Sequence, residues 1–306
     1  MIKLFTHTDL DGIGCAILAK LAFGTEVVDV EYCNYDDIDS KVEEYFNSGS
    51  EYECHITDIS INEELAHKIN DFEKTYRLLD HHPTALGLNK FCWCSVQVEN
   101  EETNIKTSGT EIYYHWLVDN GRLSRSDVLD RFVELVRNYD TWRWSTLGDK
   151  GIICKQVNDL LYLYGRDKFI DWCFTEIYED SFPWLYESDL LVLEIKQKEI
   201  DDYIEAKNKQ LFIKDLCGKV CGFVFADKYY SELGNRLCEM HPEVDFITII
   251  DMCGKISYRT TKDNIDLGNN VAKLFGGGGH PKAAGSYFSK EVQFDVIDKI
   301  FRNNNI

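Results

Sequence analysis

The chain has 306 residues, with 33 Lys and Arg against 53 Asp and Glu and a formal net charge of −20 at pH 7. That acidic excess argues against a protein that grips a long polyanion, which needs a basic face to neutralise phosphates. No apolar run approaches the roughly 20 residues needed to cross a bilayer, and eleven cysteines without a Cys-x-x-Cys pattern read as reduced thiols of a cytoplasmic protein.

In chain order, an apolar strand beginning at Ile2 runs into His7, Asp9 and Asp11 ahead of Gly12. Residues at i, i+2 and i+4 of an extended segment project to one side, so these three are expected to converge if the strand geometry persists that far. Strand and helix patterns then alternate: 27–33 with 36–47, 52–57 with 62–72, and a strand at 76–79. The strand at 52–57 runs into Asp58, and the one at 76–79 runs into Asp80, His81 and His82. Such alternation indicates βαβ units and a mainly parallel sheet, in which ligands bind beyond the carboxyl ends of the strands. Helices expected over 108–120 and 126–139 complete a first domain at 1–148, with Asp140 beside Tyr139, Trp142 and Trp144.

A mostly helical connector is expected over 149–214. In it Leu190, Leu191, Leu193, Ile195, Ile200 and Ile204 make an apolar stripe suited to a core or to a homodimer surface. The second domain, 215–306, should be a smaller α/β unit: a strand at 218–226, a hairpin joining 245–252 to 255–261, a helix at 267–275 and a strand at 283–288. Gly276, Gly277, Gly278 and Gly279 stand between that helix and His280. Glycines open backbone angles closed to other residues and let amides approach a ligand, although a helix stop accounts for some of them. His280 adds a donor, and Arg259 a planar fork suited to phosphate.

Taken singly, Asp-x-Asp-Gly is a common turn and His-His a common surface pair. Here they come in a fixed order: His7-x-Asp9-x-Asp11-Gly12, Thr57-Asp58-Ile59-Ser60, Asp80-His81-His82, Tyr139-Asp140-Thr141, and a run from Gly276 through His280-Pro281-Lys282 to Gly285. That order resembles the DHH phosphoesterases that carry a DHHA1 domain. This superfamily includes single-strand exonucleases of the RecJ type, nano-RNases, 3′-phosphoadenosine-5′-phosphate phosphatases and cyclic-dinucleotide phosphodiesterases. The resemblance implies an N-terminal catalytic, metal-binding domain and a C-terminal domain that binds the non-scissile part of the substrate. It further implies two ions bridged by Asp58, with His7 and Asp9 on the first and Asp11, His81 and Asp140 on the second. By the same resemblance, His82 faces a phosphoryl or leaving oxygen and Asp80 orients an imidazole. The implied substrate contacts are His280, Arg259, Gly277, Gly278 and Gly279.

Hydrolysing a phosphate ester at neutral pH calls for a nucleophilic hydroxide and for positive charge around the phosphoryl oxygens, which two ions about 3.5–4 Å apart provide. Oxygen and nitrogen donors without thiolate fit Mn²⁺ best, with Mg²⁺, Co²⁺ or Fe²⁺ compatible. The expected function is a metal-dependent, exonucleolytic phosphodiesterase of short oligoribonucleotides, like the nano-RNases. Its partners are short RNA or a small nucleotide, with no long-polynucleotide track and no membrane. Competing functions are a cyclic- or linear-dinucleotide phosphodiesterase, a 3′-phosphoadenosine-5′-phosphate phosphatase and, outside the enzymes, a nucleotide-binding regulator that lost turnover. A regulator would be marked by a missing ligand, and every expected ligand is present.

Overall fold

The computed structural model describes residues 1–302, the side chains of residues 72–74 and 302 excepted. It contains two compact units, Met1–Leu193 and Glu194–Ile306.

In the first unit, β1 (Ile2–His7), β2 (Val28–Cys33), β3 (Glu53–Thr57), β4 (Tyr76–Asp80) and β5 (Cys94–Val96) form one sheet in the order β2-β1-β3-β4-β5. Every pairing in it is parallel. Parallel neighbours need crossovers, and α1 (Leu10–Phe23), α2 (Ile38–Asn47) and α3 (Glu63–Ile69) supply the first three. Both faces of such a sheet are covered, so consecutive residues of one strand enter different cores. Leu4 belongs with Ile13 of α1, Tyr113 of α4 (Gly109–Asp119) and Phe132 of α5 (Asp127–Asp140), whereas Phe5 belongs with Val42 of α2 and Leu65 of α3. Side chains of Asp9, Asn62, Ser108 and Ser126 accept first-turn backbone N–H groups and start α1, α3, α4 and α5. Each such cap contributes about 1 kcal/mol.

The boundary between the units falls inside the segment read as a connector. α6 (Asp149–Tyr164) and α7 (Arg166–Tyr178) bury Val157, Leu160, Phe169 and Cys173 in the same core as α1 and α5. α8 (Glu187–Asn208) gives Leu193 to that core, and Ile200 and Ile204 to a core of the second unit. Leu190, Leu191 and Ile195 of the expected stripe stay exposed.

The second unit holds β6 (Phe212–Leu216), β7 (Lys219–Phe225), β8 (Phe246–Ile250), β9 (Lys255–Arg259), β10 (Gly278–Gly279) and β11 (Ala283–Tyr287), in the order β10-β11-β9-β8-β7-β6. β7 and β8 pair in parallel around the crossover α9 (Tyr230–Met240), and the other neighbours are antiparallel. The helix expected over 267–275 is broken into α10 (Leu267–Asn270) and a 3₁₀ turn, Ala272–Phe275, because Val271 sits at φ −126°, ψ −69°, off the helical backbone. α11 (Lys290–Arg302) closes the described chain. Among the described residues no helix is long and apolar enough to cross a membrane. Among the described residues no cysteine forms a disulfide; Cys92, Cys217 and Cys253 are exposed and the others buried.

Candidate metal centre

Strand order reverses at β1, with β2 on one side and β3 on the other. A crevice opens at such a switch point, beyond the carboxyl ends of the strands. His7 ends β1, Asp58 follows β3, and Asp80 ends β4 ahead of His81 and His82. The extended geometry does not persist to Asp11. The strand stops at His7, the Asp9 carboxylate accepts the Gly12 N–H at 3.1 Å to start α1, and Asp11 reaches the crevice from the first helical turn. A side chain at residue 12 could not fit there, since its Cβ would lie 2.1 Å from the His7 carbonyl oxygen.

Asp11 is 1% exposed, and its two carboxylate oxygens accept the Gly109 and Thr110 N–H groups at 2.6 and 2.8 Å. The start of α4 therefore holds this carboxylate with backbone donors and the positive end of its dipole. Asp58 takes the left-handed backbone region, φ 57°, and donates its N–H to Leu79 O at 3.0 Å. Gly109 makes room for it, because a Cβ at 109 would lie 2.5 Å from the Asp58 Cβ. Strained backbone of this kind concentrates at functional sites.

His81 Nε2 lies 3.2 Å from Asp58 Oδ1 and 3.6 Å from both Asp11 Oδ2 and Asp140 Oδ2. His7 Nδ1 lies 2.8 Å from Asp9 Oδ2. One donor atom from each of His7, Asp9 and Asp58 falls within 4.8 Å of the others, and the same is true of Asp11, His81 and Asp140. An overlapping set, Asp58, Asp80, His81 and His82, meets the same limit. The six expected ligands thus gather as two triplets, and Asp58 of the first lies 3.2 Å from His81 of the second.

The charges in this cluster are poorly compensated. Burial, then Asp11, Asp9 and Asp140, pushes the Asp58 carboxyl well above its ordinary range. Burial, then Asp11, Asp9 and Asp80, does the same to Asp140. Burial also pushes the His81 imidazole down, so it is a poor source of positive charge. Asp58 Oδ2 is buried without a hydrogen-bond partner. Crowded carboxylates, a His81 imidazole pushed toward its neutral form and an orphaned buried oxygen suit divalent cations, and the absence of thiolate favours hard or borderline ions.

Beside this cluster, Asp80 is fully buried and accepts from Ser60 Oγ at 2.5 Å, the His81 N–H at 2.8 Å and His82 Nδ1 at 2.8 Å. Burial pushes the Asp80 carboxyl up, but the bonds from His82 and Ser60 outweigh it and hold it below its ordinary value. Burial likewise pushes His82 down, and Asp80 more than reverses this. With Nδ1 occupied, the free edge of His82 is Nε2, which shares a 2.9 Å hydrogen bond with the Tyr35 hydroxyl. Ser60 and Tyr35 are additions to the expected site. Ser60 lay within the Thr-Asp-Ile-Ser block, whereas nothing in the sequence marked Tyr35, an aromatic between β2 and α2.

The remaining expected residues belong to the second unit. Arg259 donates to Tyr258 O at 2.8 Å and Ser231 Oγ at 3.1 Å, and burial pushes its guanidinium below the ordinary value. It packs over α9, where a Cβ at Gly234 would meet Arg259 Cγ at 2.4 Å. His280 is exposed, and its N–H donates to Ala283 O at 2.9 Å. Steric reasons account for three of the glycines. Gly276 has φ 72°, Gly279 has φ 136°, and a Cβ at Gly277 would lie 2.0 Å from Gly285 O. Gly278 has open space where a Cβ would go. Lys282 is engaged with Thr261 O and Asp263.

No protein-family model matches the chain. It is 35% identical over 313 residues to the oligoribonuclease NrnB of Bacillus subtilis (strain 168), covering 99% of this chain and 76% of the relative. Among solved structures, a manganese-bound exonuclease RecJ superposes with a TM-score of 0.59 at 12% identity, over 98% of this chain and 88% of that one. The pGpG-specific phosphodiesterase PggH from Vibrio cholerae superposes with a TM-score of 0.52 at 12% identity, over 99% and 98%. At such identities the structures establish the fold. Together with the extent of the NrnB match and the five motif blocks, they show that the chain belongs to the DHH–DHHA1 phosphoesterase family, on the branch of the oligoribonuclease NrnB.

Proposed function

We propose that the chain is a metal-dependent phosphodiesterase that hydrolyses short oligoribonucleotides exonucleolytically, with Mn²⁺ as the favoured ion at both positions. The observation that carries this is the convergence of Asp11, Asp58 and Asp140 on His81 Nε2, beside a His82 whose Nδ1 is pinned by Asp80. Two divalent cations held by His7, Asp9, Asp58, Asp11, His81 and Asp140 would neutralise phosphoryl oxygens and acidify a water. Asp58 serves both triplets. His82, whose imidazole Asp80 shifts toward the protonated form, would present Nε2–H to a phosphoryl or leaving oxygen and could pass it a proton as the ester bond breaks. Asp80 fixes the tautomer and orientation of that ring. The second unit binds the non-scissile part of the substrate through His280, Arg259 and the amides of Gly277, Gly278 and Gly279. Gly278, which no neighbouring atom requires to be glycine, supports that role.

The test is turnover in Mn²⁺ of the linear dinucleotide pApA, a five-nucleotide RNA, cyclic di-AMP and 3′-phosphoadenosine-5′-phosphate side by side. Preference for the two linear substrates is expected. Turnover of the cyclic dinucleotide or the bisphosphate alone would move the protein to another branch of chemistry, and inactivity on all four would leave a nucleotide-binding regulator.

A further inference from the structure

Next to His82 lies a cavity of about 280 Å³ that none of the expected ligands or substrate contacts explains beyond its shared edge at Asp80 and His82. Its wall is apolar where Ile61, Ala85 and Leu88 line it, all three buried. Its rim carries the exposed Thr84 and Gly87. The Tyr35 ring, 61% exposed, lines it as well, and the hydroxyl of that ring is tied to His82 Nε2. An apolar floor, a few polar rim groups and one aromatic at the edge make up the usual composition of a small-molecule site, and this volume lies near the lower end of the range for such sites. It matches one nucleoside and excludes a stacked run of several.

We propose that this cavity seats one nucleoside of the substrate, immediately beside the phosphate engaged by His82, with the Tyr35 ring as the aromatic surface against which the base stacks. The proposal rests on the phosphodiesterase function above and adds to it a binding site in the first unit. A base stacked on an aromatic ring gains affinity whatever its identity, so the seat favours nucleotides over other phosphodiesters without choosing among sequences. The hydrogen bond between the Tyr35 hydroxyl and His82 Nε2 sets the ring at the cavity mouth before substrate arrives. Tyr35 thereby couples the nucleoside seat to the imidazole that faces the phosphate.

Three variants separate the parts: Tyr35→Ala removes the ring, Tyr35→Phe keeps it and drops the hydroxyl, and Gly87→Phe sets a bulky side chain on the cavity rim. Gly87 tolerates the change, since nothing lies within 4 Å of its Cβ position. Each is assayed on pApA and on bis(p-nitrophenyl) phosphate, a phosphodiester without nucleosides. In parallel, adenosine, a neutral probe, is titrated in EDTA by ligand-observed NMR. In Tyr35→Ala and Gly87→Phe the ratio of kcat/KM for pApA to that for bis(p-nitrophenyl) phosphate should fall about tenfold, the scale of one lost base–aromatic contact, and adenosine binding should weaken with it. Tyr35→Phe, which keeps the stacking ring and loses its tie to His82, should fall between wild type and Tyr35→Ala. Equal losses on both substrates in Tyr35→Ala, or adenosine binding undiminished in Gly87→Phe, would overturn the seat. A wild-type chain inert on both esters would instead overturn the phosphodiesterase function, and the adenosine titration would still decide the seat.

Discussion

At the scale of single residues, Asp58 is buried with one oxygen orphaned and three neighbouring carboxylates in its field. Asp58→Ala should lose activity by several orders of magnitude and bind less than two equivalents of Mn²⁺ while remaining folded, because it removes a ligand and no core packing. Full metal content with intact turnover would sink the bridging role. Because the folded state raises the Asp58 and Asp140 carboxyls, the metal-free chain binds protons there that the unfolded chain releases from about pH 4 upward. The resulting destabilisation grows as pH rises from that value to the raised folded values and is fully present above them. His7 and His82, also raised, act in the same direction, and His81 opposes them. Unfolding midpoints in EDTA should therefore be higher near pH 5.5 than near pH 7.5, with Asp58→Asn raising the midpoint mainly at the higher pH. A midpoint indifferent to pH and to that substitution would contradict the charge assignment. His280, exposed in the second unit, belongs to a different task. His280→Ala should raise KM and lower kcat/KM at unchanged metal content, as read by steady-state kinetics and metal analysis, and loss of metal would refute that division.

At the scale of elements, the centre depends on how α4 begins. Its first two amides hold the Asp11 carboxylate, and its first residue must lack a side chain so that Asp58 can approach. Gly109→Ala should thus act on both metal triplets at once, although residue 109 contributes no ligand. Forcing a Cβ against Asp58 costs about 1–3 kcal/mol, typical of overpacking. The expected signature is a lower unfolding midpoint together with weaker Mn²⁺ binding by titration. A variant with wild-type metal affinity would show that α4 can shift without carrying Asp11 and Asp58 with it.

At the scale of the whole molecule, the charge of −20 opposes long polyanions. Affinity for a polynucleotide grows with the number of phosphates that displace counterions from a basic surface, and this composition provides little of that. Activity should be highest on dinucleotides to pentanucleotides and weak on strands of about twenty, with a shallow dependence on salt. kcat/KM climbing with length, together with a steep salt slope, would reveal a basic track that the net charge conceals. A single nucleoside seat beside His82 gives the same length preference a local cause.

The rim residues and the parallel sheet were legible in the amino-acid order, because each arises from local chemistry: strands running into His7, Asp58 and Asp80 mark the rim of a βαβ sheet whatever surrounds them. Legible too were the hairpin of β8 and β9 and the glycine run before His280. Local pattern failed where a short segment has two admissible conformations. Asp11 came to the centre on a helix and not on a strand, because the Asp9 side chain captured the Gly12 N–H, and the 267–275 helix broke at Val271. The connector stripe could not be divided in advance, because an apolar residue on α8 looks the same whether it enters one core, another, or neither. Tyr35 gave no signal at all, since its role comes from a bond to a residue 47 positions away. Sequence determined which residues carry carboxylate, imidazole and guanidinium groups near strand ends and the glycine run. Only the tertiary structure decided which of them meet, because distances across a crevice are set by strand order and helix starts, and neither is written at the residue itself.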